Sequence, residues 1–118
     1  MFAAHHRLAA LTVLLDANNS QVDGPVDSIT TIEPSAAKWA AFGWAAVEVD
    51  GPDVAAVIAA LAAAARSTRP AGVICRPSTR RGLDCLPPDA DGHFIKLPAG
   101  LAAAAERELT ERLEQAHA

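Results

Sequence analysis

Apolar runs and helical patterns alternate along this chain. The apolar runs at residues 11–15, 44–49 and 71–76 each contain β-branched residues, which favours strands. The first run predicts a strand that is buried on both faces. Because helical segments separate the runs, the strands should be joined by right-handed parallel crossovers. The pattern therefore predicts an α/β fold, with a mainly parallel sheet flanked by helices in three layers.

Four segments have helical patterns, and their apolar positions indicate which faces are buried. Trp39 and Phe42 lie three residues apart and should share a core face. The larger apolar residues of the alanine-rich third helix also share a face, which we expect to cover the sheet. The last helix has a leucine seam for packing against the sheet or a neighbouring subunit. The helical segments are residues 2–9, 35–42, 54–66 and 99–117, and residues 27–33 should be irregular. The two apolar faces are Val54, Val57, Ile58 and Leu61, and then Leu101, Leu109 and Leu113.

Composition and charge argue against several classes of protein. A formal net charge of −4 and an aromatic content of 4% do not favour a nucleic-acid binder. No apolar run reaches the roughly 18 residues of a membrane span, so we expect no membrane association. Cys75 and Cys85 have no metal-binding spacing and are expected to be free thiols. A single cytoplasmic domain over residues 1–118 is the resulting expectation.

A cluster of small polar residues, Asp16 to Gln21, follows the first predicted strand immediately. Carboxylate, amide and hydroxyl side chains of this size can bond their own backbone. They also present oxygen ligands where a parallel strand ends, which is where open α/β sheets bind ligands. Such oxygens suit Mg²⁺ or Ca²⁺. Two interpretations stay open at this point: an asparagine-rich turn that caps the strand, and a cation site.

Val22, Asp23 and Gly24 follow this cluster and lead into a segment that extends to Gly51. Together with residues 11–21, they resemble the amino-terminal subunit of a split-type transketolase. In that family a Gly-Asp-Gly sequence opens the thiamine diphosphate motif, and an asparagine-containing loop followed by an apolar residue and Asp-Gly closes it. The 118 residues contain no Gly-Asp-Gly. The resemblance therefore implies a truncated, second half of a thiamine diphosphate-binding domain.

The resemblance also implies roles for individual residues. Asn18 would give its side-chain oxygen to the metal ion, and Ser20 its main-chain carbonyl. Val22 would pack near the thiazolium ring of the cofactor. His93 matches a family histidine that approaches the cofactor diphosphate and the substrate, which makes it the candidate catalytic residue. The alternative for His93 is a solvated loop histidine.

The loop at residues 76–98 departs from the family pattern, which has a Thr-x-Lys-Gly-Lys-Gly segment and a later His-Gly pair. Arg80 and Arg81 within this loop are either a bidentate phosphate-binding pair or a solvated pair. The chain keeps Arg76, Arg81, Gly82 and His93, and it has Pro77, Thr79, Arg80 and Phe94 at other positions of the pattern.

The function implied by the resemblance is that of a transketolase component, which transfers a two-carbon ketol unit between sugar phosphates or related ketoses and aldoses. Thiamine diphosphate and Mg²⁺ (or Ca²⁺) are expected only in a completed assembly, because the charged ligand of Gly-Asp-Gly is missing. The expected partners are a polypeptide carrying Gly-Asp-Gly, a sugar-phosphate-like substrate and a pyrimidine-domain subunit, within an oligomer. The chain alone should be inactive. A non-catalytic remnant with a structural or binding role is the alternative.

Overall fold

The main sheet has three parallel strands, and its central strand is the last of them in the chain. The computed structural model describes residues 1–88, 90 and 95–117. Within them the strands are β1 (Thr12–Asp16), β2 (Ser20–Gln21), β3 (Gly24–Pro25), β4 (Ala45–Val49) and β5 (Ala71–Cys75). The main sheet has the order β1-β5-β4, and β2 and β3 form a separate antiparallel hairpin. The predicted parallel α/β fold is confirmed, and the three main strands lie within one residue of the expected bounds.

The helices follow the predicted segments with two differences. The helices are α1 (Phe2–His5), α2 (Val26–Ile29), α3 (Ser35–Ala41), α4 (Val54–Ala64) and α5 (Ala99–Ala116). α1 ends earlier than expected, and Arg7 just beyond it has a positive φ of 49°. The expectation of an irregular segment at residues 27–33 was wrong in part, because α2 forms one helical turn there. Asp53 caps α4 as its side chain accepts a hydrogen bond from Ala56 N at 3.0 Å.

Helices α3 and α4 cover opposite faces of the sheet. Side chains alternate along a strand, so Gly72 and Val73 of β5 face opposite ways. Trp39 of α3 packs on Gly72, where a Cβ atom would lie only 2.4 Å from the Trp39 ring. Ala64 of α4 lines a groove with Val73 on the other face. The expected arrangement of three layers is therefore present.

The burial of the apolar side chains differs from the expectation at several places. β1 is not buried on both faces, because α4 packs mainly against β4 and β5 and leaves Leu14 52% exposed. Phe42 is also exposed, whereas Trp39 lies partly buried and meets Trp44 edge-on with ring centroids 5.0 Å apart. The expectation that Trp39 and Phe42 form a shared core pair was wrong for Phe42.

Helix α4 buries alanines and exposes two of its four larger side chains. Ala60 and Ala64 are its buried residues, while Val54 and Ile58 are 67% and 61% exposed. Val57 and Leu61 are half-buried on the same side of the helix as these alanines. The prediction that the face containing the larger residues covers the sheet was therefore wrong for Val54 and Ile58 only. In a helix composed mostly of alanine, small side chains permit close approach to the sheet from almost any direction. The larger residues then decide the orientation only in part.

Helix α5 likewise exposes most of its leucine seam. Leu109 and Leu113 are 50% and 60% exposed, and Ala105 is the buried residue of this helix. Its polar face is tied to the loop after β5 instead, through Glu108. Among the described helices, none combines the length and the apolar character that a membrane span needs.

We predict that Gly72→Ala will destabilise the fold by about 1–3 kcal/mol, because the new methyl group would overlap the ring of Trp39. Urea unfolding followed by circular dichroism measures the change. Gly100→Ala in α5 is the matched control, since nothing lies within 4 Å of its added Cβ atom. That control should be neutral or up to ~1 kcal/mol stabilising. Equal effects of the two substitutions would contradict the packing of Trp39 on β5.

Candidate functional site

The loops that follow β1 and β5 leave the sheet at the same edge. Asp16 and Cys75 are paired at the ends of these parallel strands. Ala17 N donates a hydrogen bond to Cys75 O at 2.8 Å, which extends the pairing by one step. Beyond this point the two loops separate. The carboxyl ends of parallel strands are where open α/β sheets bind ligands. The polar cluster of the first loop therefore lies at the expected place.

The side chain of Asn18 is held within its own loop. Its Oδ1 accepts a hydrogen bond from Ser20 N at 2.8 Å, and its Nδ2 donates to Asp16 Oδ2 at 3.2 Å. This is the local bonding expected of an asparagine turn. An amide oxygen has two lone pairs, so Oδ1 keeps the capacity for a second interaction. The capping role is present in the structure, and it does not exclude a metal-binding role.

Asn19 fixes the hairpin that carries Ser20. Asn19 has a positive φ of 57°, a conformation that asparagine tolerates better than most residues. Its Oδ1 accepts a hydrogen bond from Asp27 N at 3.2 Å, and its main-chain oxygen accepts one from Val26 N at 3.1 Å. These bonds close the β2–β3 hairpin against the start of α2. The position of the Ser20 main chain is thereby set on both sides of the turn.

Two clefts adjoin the Asn18 loop. The Glu33 cleft, of about 320 Å³, is lined by Asn18, Asn19, Asp27, Ile32, Glu33 and Arg76 among others. The Arg80 cleft, of about 570 Å³, is lined by Asn18, Asn19, Ser20, Ser78, Thr79 and Arg80 among others. Asn18 and Asn19 thus form part of the wall of both.

The structure brings together some of the residues that the sequence singled out, but not all. Asn18 and Ser20 lie side by side on the Arg80 cleft. Val22 lies at the tip of the hairpin, is 65% exposed, and is not among the described residues that line the two clefts. His93 lies outside the described residues, so its expected role stays a prediction. Arg80 and Arg81 do not act as a pair: Arg80 donates to Pro87 O at 2.8 Å, and Arg81 pairs with Asp50 at 3.3 Å.

Arg76 forms a double ion pair that sequence reasoning missed. Its guanidinium donates to both carboxylate oxygens of Glu33, at 2.7 and 2.9 Å, and to both of Glu48, at 3.0 Å each. Arg76, at the end of β5, thereby holds β4 and the segment before α3. The hydrogen bonds from Arg76 lower the pKa of Glu33 to about 2 and also lower the pKa of Glu48. The signal in the sequence was a single charge, Glu48, inside an apolar run.

Glu108 of α5 anchors the loop that follows β5. Its carboxylate accepts hydrogen bonds from the main-chain N–H groups of Asp84 and Cys85, at 2.8 and 3.0 Å. The donation from Cys85, followed by that from Asp84, lowers the pKa of Glu108 to about 2. Arg112 pairs with Asp84 and with Glu108. The part of the loop that carries Arg80 is therefore held between β5 on one side and Glu108 of α5 on the other.

The oxygen atoms at Asn18 and Ser20 are of the type that binds a hard cation, but they are too few to hold one alone. Amide and main-chain carbonyl oxygens are ligands that Mg²⁺ and Ca²⁺ accept. Among the described residues, however, no three histidine, cysteine or acidic side chains are grouped so that they could hold a metal ion. Asn18 and Ser20 could therefore hold a cation only together with ligands from elsewhere.

A parallel sheet with polar loops at its carboxyl edge defines an α/β ligand-binding domain, and comparisons with known proteins identify its family. Residues 1–107 match the model of the transketolase thiamine diphosphate binding domain, and the chain belongs to this family. It is 31% identical over 110 residues to the 6-deoxy-6-sulfo-D-fructose transketolase subunit of Clostridium sp. (strain MSTE9), an overlap of 92% of this chain and 40% of that protein. The transketolase of Sinorhizobium medicae is 38% identical over 80 residues, which are 68% of this chain and 11% of that protein.

A solved structure shows the same fold. The transketolase of Campylobacter jejuni superimposes with a TM-score of 0.74 at 24% identity, over 92% of this chain and 17% of that one. This chain spans about two fifths or less of the length of the curated relatives it matches. The resemblance seen in the sequence is thereby confirmed at the level of family and fold.

We predict that Glu33→Gln will lower the urea midpoint of unfolding at pH 7, and that the deficit will vanish in acid. Hydrogen bonds from Arg76, and after them from the main chain of Ser35, lower the pKa of Glu33 from 4.5 to about 2 in the folded chain. A carboxyl group with a lowered pKa stabilises the fold above its unfolded pKa, and this contribution is lost as the pH falls to the folded pKa. The deficit should therefore be constant above about pH 5 and shrink between 4.5 and about 2. Because Glu33 is 37% exposed, the deficit should be modest.

The control for this measurement is Glu106→Gln, at an exposed position of α5 for which the described residues show no ion pair. It should change the midpoint little at any pH. A Glu33→Gln deficit that persists unchanged at pH 3 would show that the ion pair with Arg76 is not its cause.

Proposed function

We propose that this chain forms the metal- and diphosphate-binding part of a transketolase-type thiamine diphosphate site. The observation that carries the proposal is the placement of Asn18 and Ser20 together, on one cleft at the carboxyl edge of the sheet. Membership of the thiamine diphosphate binding family supports the choice of cofactor. In this proposal the Asn18 side-chain oxygen and the Ser20 main-chain carbonyl bind Mg²⁺ or Ca²⁺.

The other roles follow the family pattern. Val22 would pack near the thiazolium ring, and His93 would approach the diphosphate and the substrate as the catalytic residue. When bound, thiamine diphosphate supplies the carbanion chemistry by which transketolases move a two-carbon ketol unit from a ketose to an aldose. This chain's own residues would hold the cation, orient the anionic end of the cofactor and keep the loop geometry fixed through Arg76 and Glu108.

The site needs ligands beyond these 118 residues. They contain no Gly-Asp-Gly, so the carboxylate that completes the metal site must come from another segment or polypeptide. A pyrimidine-domain subunit would supply the rest of the cofactor site. Two relatives are themselves named as transketolase subunits, one for 6-deoxy-6-sulfo-D-fructose and one, from Phocaeicola vulgatus, for apulose-4-phosphate. Their names favour a phosphorylated or otherwise anionic sugar as the substrate of the complete enzyme.

Assembly into an oligomer fits the surface of the chain. β1 and β4 are the outer strands of the described sheet, and an uncovered edge strand tends to pair or be covered. Leu14 and Val47 on these strands are 52% and 42% exposed. A non-catalytic chain with a structural or binding role is the rival function, and it predicts association without cofactor binding.

We predict that this chain alone binds thiamine diphosphate with Mg²⁺ no more tightly than the millimolar range and transfers no ketol unit. The reason is the incomplete ligand set at Asn18 and Ser20. Calorimetric titration of the chain measures the affinity. Addition of a polypeptide that carries Gly-Asp-Gly and of a pyrimidine-domain subunit should produce binding and activity. Micromolar binding by the chain alone would contradict the need for partners, and failure of every such mixture would favour the rival function.

We predict that Asn18→Ala will impair both the loop and the Mg²⁺ response of the reconstituted enzyme. Loss of the acceptor for Ser20 N should cost about 1 kcal/mol of stability. The ketol-transfer rate should fall at least tenfold at limiting Mg²⁺ and recover in part at high Mg²⁺, as expected when one metal ligand is lost. Ser20→Ala is the matched control, because it keeps the main-chain carbonyl and should keep the Mg²⁺ dependence. An unchanged Mg²⁺ dependence of Asn18→Ala would remove Asn18 from the metal site.

A further inference from the structure

The Arg80 cleft differs in charge from the rest of this acidic chain. Among the described residues that line it, Arg80 is the one charged side chain. The remaining polar lining consists of the amides of Asn18 and Asn19 and the hydroxyls of Ser20, Ser78 and Thr79. The chain as a whole has a formal net charge of −4. A cation surrounded by neutral hydrogen-bonding groups, with no carboxylate in the described lining, gives a cleft that attracts anions.

The partner of Arg80 does not neutralise its charge. Arg76, Arg81 and Arg112 each pair with at least one carboxylate. Arg80 instead donates through one guanidinium nitrogen to the main-chain oxygen of Pro87, at 2.8 Å. A guanidinium group has five N–H donors in a planar fork, and a carbonyl oxygen engages them without cancelling the positive charge. The bond to Pro87 therefore orients the side chain, and no carboxylate of the described residues pairs with it.

The backbone that carries Arg80 is also held in place. Arg80 N donates to Ser78 Oγ at 3.3 Å, and Leu83 N donates to Arg80 O at 3.0 Å. Asp84 and Cys85 follow a few residues later in the loop, and Glu108 accepts hydrogen bonds from their main-chain N–H groups. A guanidinium on such an anchored loop is pre-organised, so little conformational entropy is lost when it binds a ligand.

We propose that Arg80 binds a tetrahedral oxyanion, a phosphoryl or sulfonate group, in this cleft. The planar fork of arginine matches two oxygens of such a group, and the hydroxyls of Ser78 and Thr79 can donate further hydrogen bonds. A volume of about 570 Å³ is in the range of small-molecule sites and exceeds what one phosphoryl group needs. Because Asn18 and Ser20 share the cleft, this assignment rests on the proposed function and adds an anion-binding residue to it.

The oxyanion has two possible sources, and metal dependence separates them. If it is the diphosphate of the cofactor, a cation at Asn18 would lie beside it, and binding of inorganic pyrophosphate should strengthen with Mg²⁺. If it is the anionic end of the sugar, ribose 5-phosphate should bind with little dependence on Mg²⁺. In both cases Arg80 is the residue that contacts the anion.

The test is a nuclear magnetic resonance titration of the full 118-residue chain with pyrophosphate and, separately, with ribose 5-phosphate, at fixed ionic strength. We expect millimolar binding, with shifts of the amide signals of residues 78–82. Arg80→Gln should weaken binding roughly tenfold, the scale of one charge-assisted interaction. Arg80→Lys should recover part of that loss. Arg69→Gln is the matched control, because it removes the same charge from the exposed loop before β5. That loop lies at the amino ends of the strands, away from the cleft.

Three results would overturn the assignment: no binding of either probe, equal losses in Arg80→Gln and Arg69→Gln, or no loss in Arg80→Gln. The same titrations also distinguish a failure of this assignment from a failure of the proposed function. Binding that depends on Arg80 but not on Asn18 or Mg²⁺ would support the anion site and count against the metal site. Dependence on Asn18 and Mg²⁺ with no effect of Arg80 would do the reverse.

Discussion

The shared pairing of β1 and β4 with β5 is the constraint on which the rest of the structure depends. Val73 and Ile74 in β5 are fully buried, and both neighbours pair with β5 in parallel and in matched register. Asp16, Cys75 and Val49 therefore end their strands side by side. The loops that follow therefore leave the sheet together at its carboxyl edge. As a result, residues that are distant in the sequence line the same clefts.

Ion pairs and hydrogen bonds to the main chain then fix the loops and connecting segments, which the small apolar core does not hold. Arg76 ties the end of β5 to β4 and to the segment before α3, and Glu108 ties the following loop to α5. These bonds lie around the clefts and not within the apolar core. These polar bonds thus fix the edge of the sheet at which we propose the cofactor binds. The fold and family are established. Ketol transfer by an assembly larger than this chain is what we propose.

The elements of the sheet could be predicted from the sequence because they depend on local pattern. The loop at Asn18 and Ser20 could be located as well, because a polar cluster directly after a buried run has few places to lie. The orientation of α4 could be predicted only in part. Val57 and Leu61 are half-buried as expected, but alanine on every side lets Ala60 and Ala64 take the buried positions while Val54 and Ile58 are exposed. The Arg76–Glu33 pair joins residues 43 positions apart, and only the sheet order brings them together. The role of His93 depends on residues that the structure does not describe.

The packing of Trp39 on Gly72 also determines which structural changes the intrinsic fluorescence of this chain can detect. The sequence has two tryptophans and no tyrosine, and Trp39 and Trp44 lie together near the amino ends of β4 and β5. Gly72 is three residues before Cys75, so the indole pair is about 10 Å from the carboxyl edge along the strand. Intrinsic fluorescence therefore monitors the assembly of the sheet, and a ligand in the clefts changes the emission only if it disturbs that sheet.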